Sequence, residues 1–210
     1  MEVTAEKVYI PGNQIVLRDW RMDDLSLYAY WLQPGHRWQE LDAPYYPGPG
    51  EAEIPEIIGR LRARIKNGDW DEPRPALAIA GRQSNQLVGR LSWYLQSKAV
   101  GPKWISLGIT IFDPADWGRG IGYEALGLWS DYLWQAMPDI VRLDIRTWSG
   151  NRGMMRLAEK LGYTEEARFR KARFVDGDYY DSVGYGILRE EWTARYPAGF
   201  GAHLGSVVSG

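Results

Sequence analysis

The chain has 210 residues, a length that suits one domain, with 25 basic and 27 acidic side chains, a net charge of −2 and no cysteine. That balance offers no basic field to recruit nucleic acid, and the lack of thiols excludes disulfides, thiolate metal sites and a cysteine nucleophile. At 45% hydrophobic and 13% aromatic the chain can bury a substantial core, but no apolar run approaches the roughly 18 residues of a membrane-spanning helix. The charged start, Met1 to Lys7, lacks the apolar core of a signal peptide, so a cytoplasmic, membrane-free location is the expectation. His36 and His203 are the only histidines and the carboxylates form no compact cluster, so no metal is expected.

In chain order, Gln14 to Trp20 alternates and reads as a strand. Asp23 and Asp24 stand where a helix N-cap belongs, ahead of Leu25, Tyr28, Trp31 and Leu32, and Pro34-Gly35 stops that helix. Residues 35–50 form an aromatic, proline-rich loop with Trp38, Tyr45 and Tyr46. Ile54, Ile57, Ile58, Leu61 and Ile65 mark an amphipathic helix. Ala76 to Ala80 and Leu87 to Leu95 read as antiparallel strands about a polar turn, and Trp104 to Phe112 as a further strand. A helix follows with Ile121, Ala125, Leu128 and Tyr132 on one face, then a strand from Ile140 to Trp148. Asn151 to Leu161 is a helix with Gly162 as C-cap. Two last strands, Tyr163–Phe174 and Tyr179–Leu188, turn at Asp176-Gly177. From Pro197 the chain is rich in glycine and small residues and reads as a loosely packed tail, leaving one domain over 1–196 and a tail over 197–210. The order is that of an α/β layered fold with a mixed sheet.

The stretch Trp117-Gly118-Arg119-Gly120-Ile121-Gly122-Tyr123-Glu124-Ala125-Leu126 carries the chemistry. A strand, a glycine-rich turn and a helix start bring unpaired N–H groups and the positive end of a helix dipole together, which favours a phosphate-bearing ligand. A dinucleotide fingerprint is disfavoured, since the third glycine position holds Tyr123 counted from Gly118 and Ala125, a sometimes tolerated residue, counted from Gly120 in a turn unusually far from the N-terminus; no Gly-Lys-Ser/Thr triphosphate loop occurs.

Together with Arg142-Leu143-Asp144-Ile145-Arg146, Asn151, Leu157-Ala158-Glu159-Lys160-Leu161-Gly162-Tyr163, Gly177-Asp178-Tyr179-Tyr180-Asp181-Ser182-Val183 and Leu188-Arg189-Glu190-Glu191-Trp192, this stretch resembles the GNAT family of N-acetyltransferases. More narrowly it is similar to the branch that acetylates ribosomal-protein N-termini. The early Ile15-Val16-Leu17-Arg18 and Asp23-Asp24 also fit, so the resemblance spans about residues 13–193. It implies a mixed, mostly antiparallel sheet splayed at its centre, with helices on both faces. It also implies acetyl-CoA or another acyl-CoA as donor. Pyrophosphate would sit on the turn formed by Trp117, Gly118, Arg119, Gly120, Ile121, Gly122 and Tyr123, pantetheine would pair with Ile109 and Ile111, and Asn151 would touch the pantetheine arm. Asn151 also suits plain helix capping. Direct attack by a neutral amine then passes the acyl group to a primary amine of a small molecule or a peptide N-terminus. The resemblance leaves a homodimer open.

Two positions depart from the family. Ala158 replaces a tyrosine and Met154 a serine that would protonate the leaving thiolate, so Tyr163 or Ser149 must serve, the thiolate must leave unaided, or the protein only binds acyl-CoA. The general base is to be found among Glu40, Asp42 and Asp181, with His36 near the first two. Trp38, Tyr45 and Tyr46 offer aromatic faces to an ammonium. If Arg90, Arg146, Arg168, Arg170 or Arg173 faces the cleft, an acidic acyl chain such as succinyl becomes a second option.

Overall fold

The computed structural model describes residues 7–96 and 103–207; the charged residues 1–6 and the last three of the tail lie outside that range. Eight strands form one sheet in the order β1-β2-β3-β4-β5-β6-β8-β7. They are β1 (Tyr9–Pro11), β2 (Ile15–Arg18), β3 (Ala76–Gly81), β4 (Leu87–Leu95), β5 (Lys103–Ile111), β6 (Ile140–Trp148), β7 (Thr164–Val175) and β8 (Asp178–Leu188). Every neighbouring pair is antiparallel except β5 and β6, which run parallel. A parallel pair needs a crossover, and α3 (Ile121–Ala136) supplies it.

The helices divide between the two faces. Against one lie α3, α4 (Arg152–Leu161), α5 (Arg189–Arg195) and α6 (Phe200–Val207), burying Leu91, Ile105, Leu107, Leu143, Ile145 and Tyr185 from the strands with Trp129, Leu161 and Trp192 from the helices. Against the other lie α1 (Asp24–Leu32) and α2 (Ile54–Asn67), where Trp20, Leu25, Tyr28, Ile58 and Phe112 form a second core over the β2–β4 half. β2 is buried throughout because both its faces are covered, so the alternation of Gln14 to Trp20 does not divide a core face from a solvent face.

Three features differ from the sequence expectation. Asp23 makes no side-chain cap; Asp24 instead holds the buried Arg18 guanidinium by two bonds of 2.7 and 2.8 Å. The short edge strand β1 and helix α5 had no periodic signal of their own. The glycine-rich segment after Pro197 packs firmly, as α6. Phe200 is fully buried against Gly127 of α3, where an added Cβ would lie 2.2 Å from the ring. Asp131 accepts from the Phe200 N–H at the start of α6 and from Trp192 Nε1 at 2.7 Å. A carboxylate at a helix N-terminus and a buried aromatic outweigh poor helix propensity.

Candidate active site: an open seam between β5 and β6

β5 and β6 pair from Lys103/Ile140 to Leu107/Ile145 and no further. Beyond that point β5 stays with β4 as far as Ile111 opposite Gly89, and β6 stays with β8 as far as Trp148 opposite Ser182. The strands therefore part, leaving a gap. Gln96 N–H bonds Trp104 O and Phe112 N–H bonds Val88 O, so even-numbered β5 residues turn their main chain toward β4. Strand alternation then turns the N–H and C=O of Ile109 and Ile111 into the gap. The Ile111 carbonyl is already taken by Trp117 Nε1 at 2.9 Å, a role the sequence did not suggest for that tryptophan.

The gap opens into a cleft of about 410 Å³ between α3 and α4. At one end stands the glycine turn. Gly118 and Gly120 have φ of 72° and 87°, a left-handed backbone that a side chain would strain. Gly120 is the N-cap of α3 and offers no side chain, so the first N–H groups of the helix are left for a ligand. Glu124 in that first turn would oppose an anion, but it is 2% exposed and its carboxylate accepts from the N–H groups of Gln14 and Ile15. Gly118, Gly120, Gly122, Tyr123 and Trp117 line the cleft. Arg119 does not; its exposed side chain pairs with Asp116 at 3.2 Å beside a separate cavity. Ile121 is buried and brings only its main chain.

α4 forms the other wall. Asn151 does two jobs: Oδ1 accepts from Met154 N at 3.0 Å, capping the helix, and Nδ2 donates to Leu41 O at 3.1 Å, pinning the long loop over the gap. Trp148 Nε1 donates to the same carbonyl at 3.1 Å. Arg156 and Lys160 also line the cleft, with Lys160 Nζ 4.3 Å from the Tyr123 ring. Both were missed because the apolar spacing of α4 drew attention to Met154, Leu157, Ala158 and Leu161. Positions 153, 156 and 160, which border that stripe, carried the signal.

The candidate bases separate sharply. Asp42 lines the cleft at its gap end. Its carboxylate reaches solvent through the opening while protein crowds its other sides. That burial raises its pKa above the ordinary carboxylate value; the charge of Arg90 and a hydrogen bond from the Thr110 hydroxyl oppose the shift. Glu40 is 68% exposed, outside the cleft, and 3.9 Å from Arg37. Asp181 is committed to β7: it accepts from Lys171 N at 3.0 Å and Arg168 Nη1 at 3.1 Å, and these bonds lower its pKa. His36 bonds Tyr30 O and meets the Tyr30 ring edge-on and the Trp31 ring at a tilt, and it is not among the residues lining the cleft.

Neither alternative acid meets the gap. Tyr163 is buried in the core beneath α3 and α5, bonded to Ser130 Oγ at 3.1 Å, and burial pushes its hydroxyl pKa up. Ser149 Oγ accepts from Asp181 N at 2.9 Å. Of the aromatic trio, Trp38 is a core anchor at 7% exposure, with its ring edge on Phe112 and Nε1 on Trp31 O, and only part of it lines the cleft. Tyr45 packs on Trp148 and under the Arg173 guanidinium, 4.4 Å from its ring. Tyr46 is mostly exposed.

Among the described residues no helix is long and apolar enough to span a membrane and no group of His, Cys, Asp and Glu could hold a metal. An unpaired strand edge running from a helix N-terminus to the Asp42 carboxylate at the opening suits a long phosphate-bearing ligand and a second reactant. Comparison with known proteins agrees. The acetyltransferase (GNAT) domain family matches residues 14–164. An SPbeta prophage-derived uncharacterized N-acetyltransferase of Bacillus subtilis is 27% identical over 189 residues, covering 90% of this chain and 97% of the relative. Among solved structures, Mycobacterium smegmatis RimJ with CoA-disulfide superposes with a TM-score of 0.61 at 19% identity, over 89% of this chain and 87% of that one. Spermidine N-acetyltransferase of Vibrio cholerae, with CoA and spermine, gives 0.65 at 18% over 85% and 98%. These likenesses bear out the splayed, mostly antiparallel sheet. With the domain match covering more than half of its length, the chain belongs to the GNAT family and is an acyl-CoA-dependent N-acetyltransferase.

Proposed function

We propose that acyl-CoA lies along the cleft with its pyrophosphate on the N–H groups of residues 118–123, assisted by Arg156 and Lys160. The pantetheine arm pairs with the N–H and C=O of Ile109 and the N–H of Ile111, in the manner of an added strand. This brings the thioester to the mouth of the gap, where a strand N–H serves as oxyanion donor. The acyl group is acetyl by default, and the acceptor is a primary amine of a small molecule or a peptide N-terminus, as the resemblances to RimJ and to a spermidine acetyltransferase suggest.

The observation that carries this reading is continuity: one cleft joins the α3 N-terminus, the unpaired edge of β5 and Asp42. Asp42 is the general base. Its raised pKa suits a group that must take a proton from an ammonium near neutrality, directly or through water. The amine attacks the thioester carbon, the tetrahedral oxyanion collapses, the C–S bond breaks and CoA thiolate leaves. No side-chain acid is needed, since a thiol pKa of about 8.5 makes the thiolate a tolerable leaving group. Holding both reactants in one gap supplies much of the rate.

The test combines calorimetry with acetyl-CoA and thiol release over a panel of amines and N-terminal peptides. Saturable binding and turnover with at least one amine are expected. Binding without turnover would leave an acyl-CoA binding module, and no binding would remove the assignment of the cleft.

A further inference from the structure

On the α1/α2 side of the sheet the gap is bordered by a strip of mostly small and polar side chains. Alternation along the paired strands puts Arg90 and Ser92 of β4, Ser106, Gly108 and Thr110 of β5, Asp144 and Arg146 of β6 and Gly184 of β8 on this face. The face is identified by Arg90, whose Nη1 donates to Tyr28 of α1, while Leu143 and Ile145 point the opposite way into the α3/α4 core. Between two cations, Arg90 held by Tyr28 and Arg146 on β6, the floor is made of the small residues Ser92, Ser106 and Gly108, with Trp104 and Arg142 at the paired end of the strands. Arg146 is the first β6 residue past the last β5–β6 pair, at the point where the strands part.

Arg146 is held from behind. Its Nε donates to Asp144 Oδ2 at 2.7 Å, and its guanidinium lies 5.5 Å from the Trp104 ring. Asp144 is 2% exposed and fixed in turn by Arg142 at 3.0 Å and by the Ser106 hydroxyl. The Nε bond and the ring set the plane of the Arg146 fork. Its two terminal nitrogens have no hydrogen-bond partner among the described residues, and the side chain is 40% exposed. A guanidinium anchored through Nε with its terminal pair open is preorganised for two-point capture of a carboxylate. Arg146 is not among the residues lining the cleft on the α3/α4 side, so an anion captured by it would sit outside the donor's phosphate end.

We infer that Arg146 is a specificity-determining residue that selects amine acceptors carrying a carboxylate near the reacting amine, whether on a small amino acid or on an acidic side chain beside a peptide N-terminus. The inference rests on the transferase reading above. In the bound acceptor, Arg146 takes the carboxylate while the amine turns toward Asp42 and the thioester. Polyamines, which bring only positive charge to this face, are disfavoured.

The experiment measures thiol release from acetyl-CoA with three acceptor sets: ω-amino acids of increasing chain length against their amides, the C-terminally amidated dipeptide Ser-Asp against amidated Ser-Asn, and spermidine. The carboxylate member of one pair should have the higher kcat/KM, and the pair that shows it names the source. Arg146→Gln should raise KM for that acceptor about ten- to a hundredfold, the range for a charge-assisted bond. Its kcat, the activity on the matching amide and the affinity for acetyl-CoA should stay near wild type. Arg146→Lys, which keeps the charge and loses the fork, should recover only part of the loss, and thermal unfolding of both variants checks the fold. Equal use of carboxylate and amide, a preference for spermidine, or an unchanged KM in Arg146→Gln overturns the inference and leaves the transferase reading intact. Faster transfer from succinyl-CoA than from acetyl-CoA, lost in Arg146→Gln, also overturns it by placing the carboxylate on the donor. No turnover with any amine overturns both.

Discussion

The two sides of the β5–β6 gap are built from different material. On the α3/α4 side the site is mainly backbone: a left-handed glycine turn, the first N–H groups of α3 and the unpaired edge of β5. On the α1/α2 side it is side chains brought from distant segments. Asp42 comes from the long loop, Arg90 and Thr110 from adjacent strands, and Arg146 from beyond the seam. Backbone is indifferent to most substitutions, so the first side suits a ligand that never changes. Side chains can be exchanged singly, so the second suits an acceptor that varies among proteins sharing the sheet. Breaking the two halves should therefore give different kinetic signatures, one in donor binding and the other in acceptor use.

The largest effect is expected from Gly120→Asp. A side chain at φ 87° costs about 1–2 kcal/mol of backbone strain. The new carboxylate would also occupy the helix N–H groups and repel the pyrophosphate. Calorimetry should show acetyl-CoA binding lost while the fold, followed by circular dichroism, persists. Unchanged affinity would remove the phosphate site from this turn.

Asp42→Asn attacks the opposite side. A lost general base should lower kcat/KM by about 100- to 10,000-fold with acetyl-CoA affinity intact. In the wild type the raised pKa means the ionised base is lost at a higher pH than for an ordinary aspartate, so kcat/KM should fall on the acid side through that shifted value. Stability runs the other way. The folded state binds more protons than the unfolded one between the two pKa values, so ionising Asp42 works against folding as pH rises. The variant should melt slightly higher than wild type at pH 7 and at the same temperature well below the unfolded value. Glu40→Gln, at an exposed position outside the cleft, should change neither kinetics nor stability. A pH profile unaltered in Asp42→Asn would return the search to another base.

Phe200→Ala tests whether the backbone half needs support from behind. Emptying that fully buried site beside Gly127 should cost about 3–5 kcal/mol. The loss should appear in thermal unfolding, with donor and acceptor kinetics little changed below the melting range. A variant as stable as wild type would show that α6 is only loosely docked.

Sequence patterns revealed these halves unequally, for physical reasons. The turn, the strand before it and the helix after it are contiguous, so glycine spacing and a 3.6-residue period suffice to put a strand, the glycine turn and a helix start in order, while the role of Ile109 and Ile111 came only with the family resemblance. The acceptor half depends on which face a strand presents and where a loop is pinned. Asp42, Glu40 and Asp181 are equivalent on paper. They part only because Asn151 and Trp148 hold Leu41 over the gap while Lys171 and Arg168 hold Asp181 on β7. Tyr163 and Trp38 were placed near the chemistry for their type, but burial consigned the first to the core and most of the second to a packing role. Helix α6 was hidden by its glycines because its stability comes from Asp131 and from the groove at Gly127, both in α3.

The smallest effect sharpens the comparison most, because it concerns the one place where the donor half uses side chains. Arg156 and Lys160 stand exposed along the cleft, one turn apart on α4, and neither forms an ion pair among the described residues. Exposed charge interactions are weak, so each alanine variant should raise KM for acetyl-CoA only about two- to fivefold, with kcat and acceptor KM unchanged. Screening offers the discriminating control. Raising salt shortens the range of these charges but leaves N–H groups at a helix start in place. The gap between wild type and the Arg156→Ala, Lys160→Ala pair should therefore close as ionic strength rises, whereas the defect of Gly120→Asp should persist. A salt-independent loss in the pair would mean that these cations make close, desolvated contacts with the donor, and the nucleotide side would then owe more to side chains than its glycine turn implies.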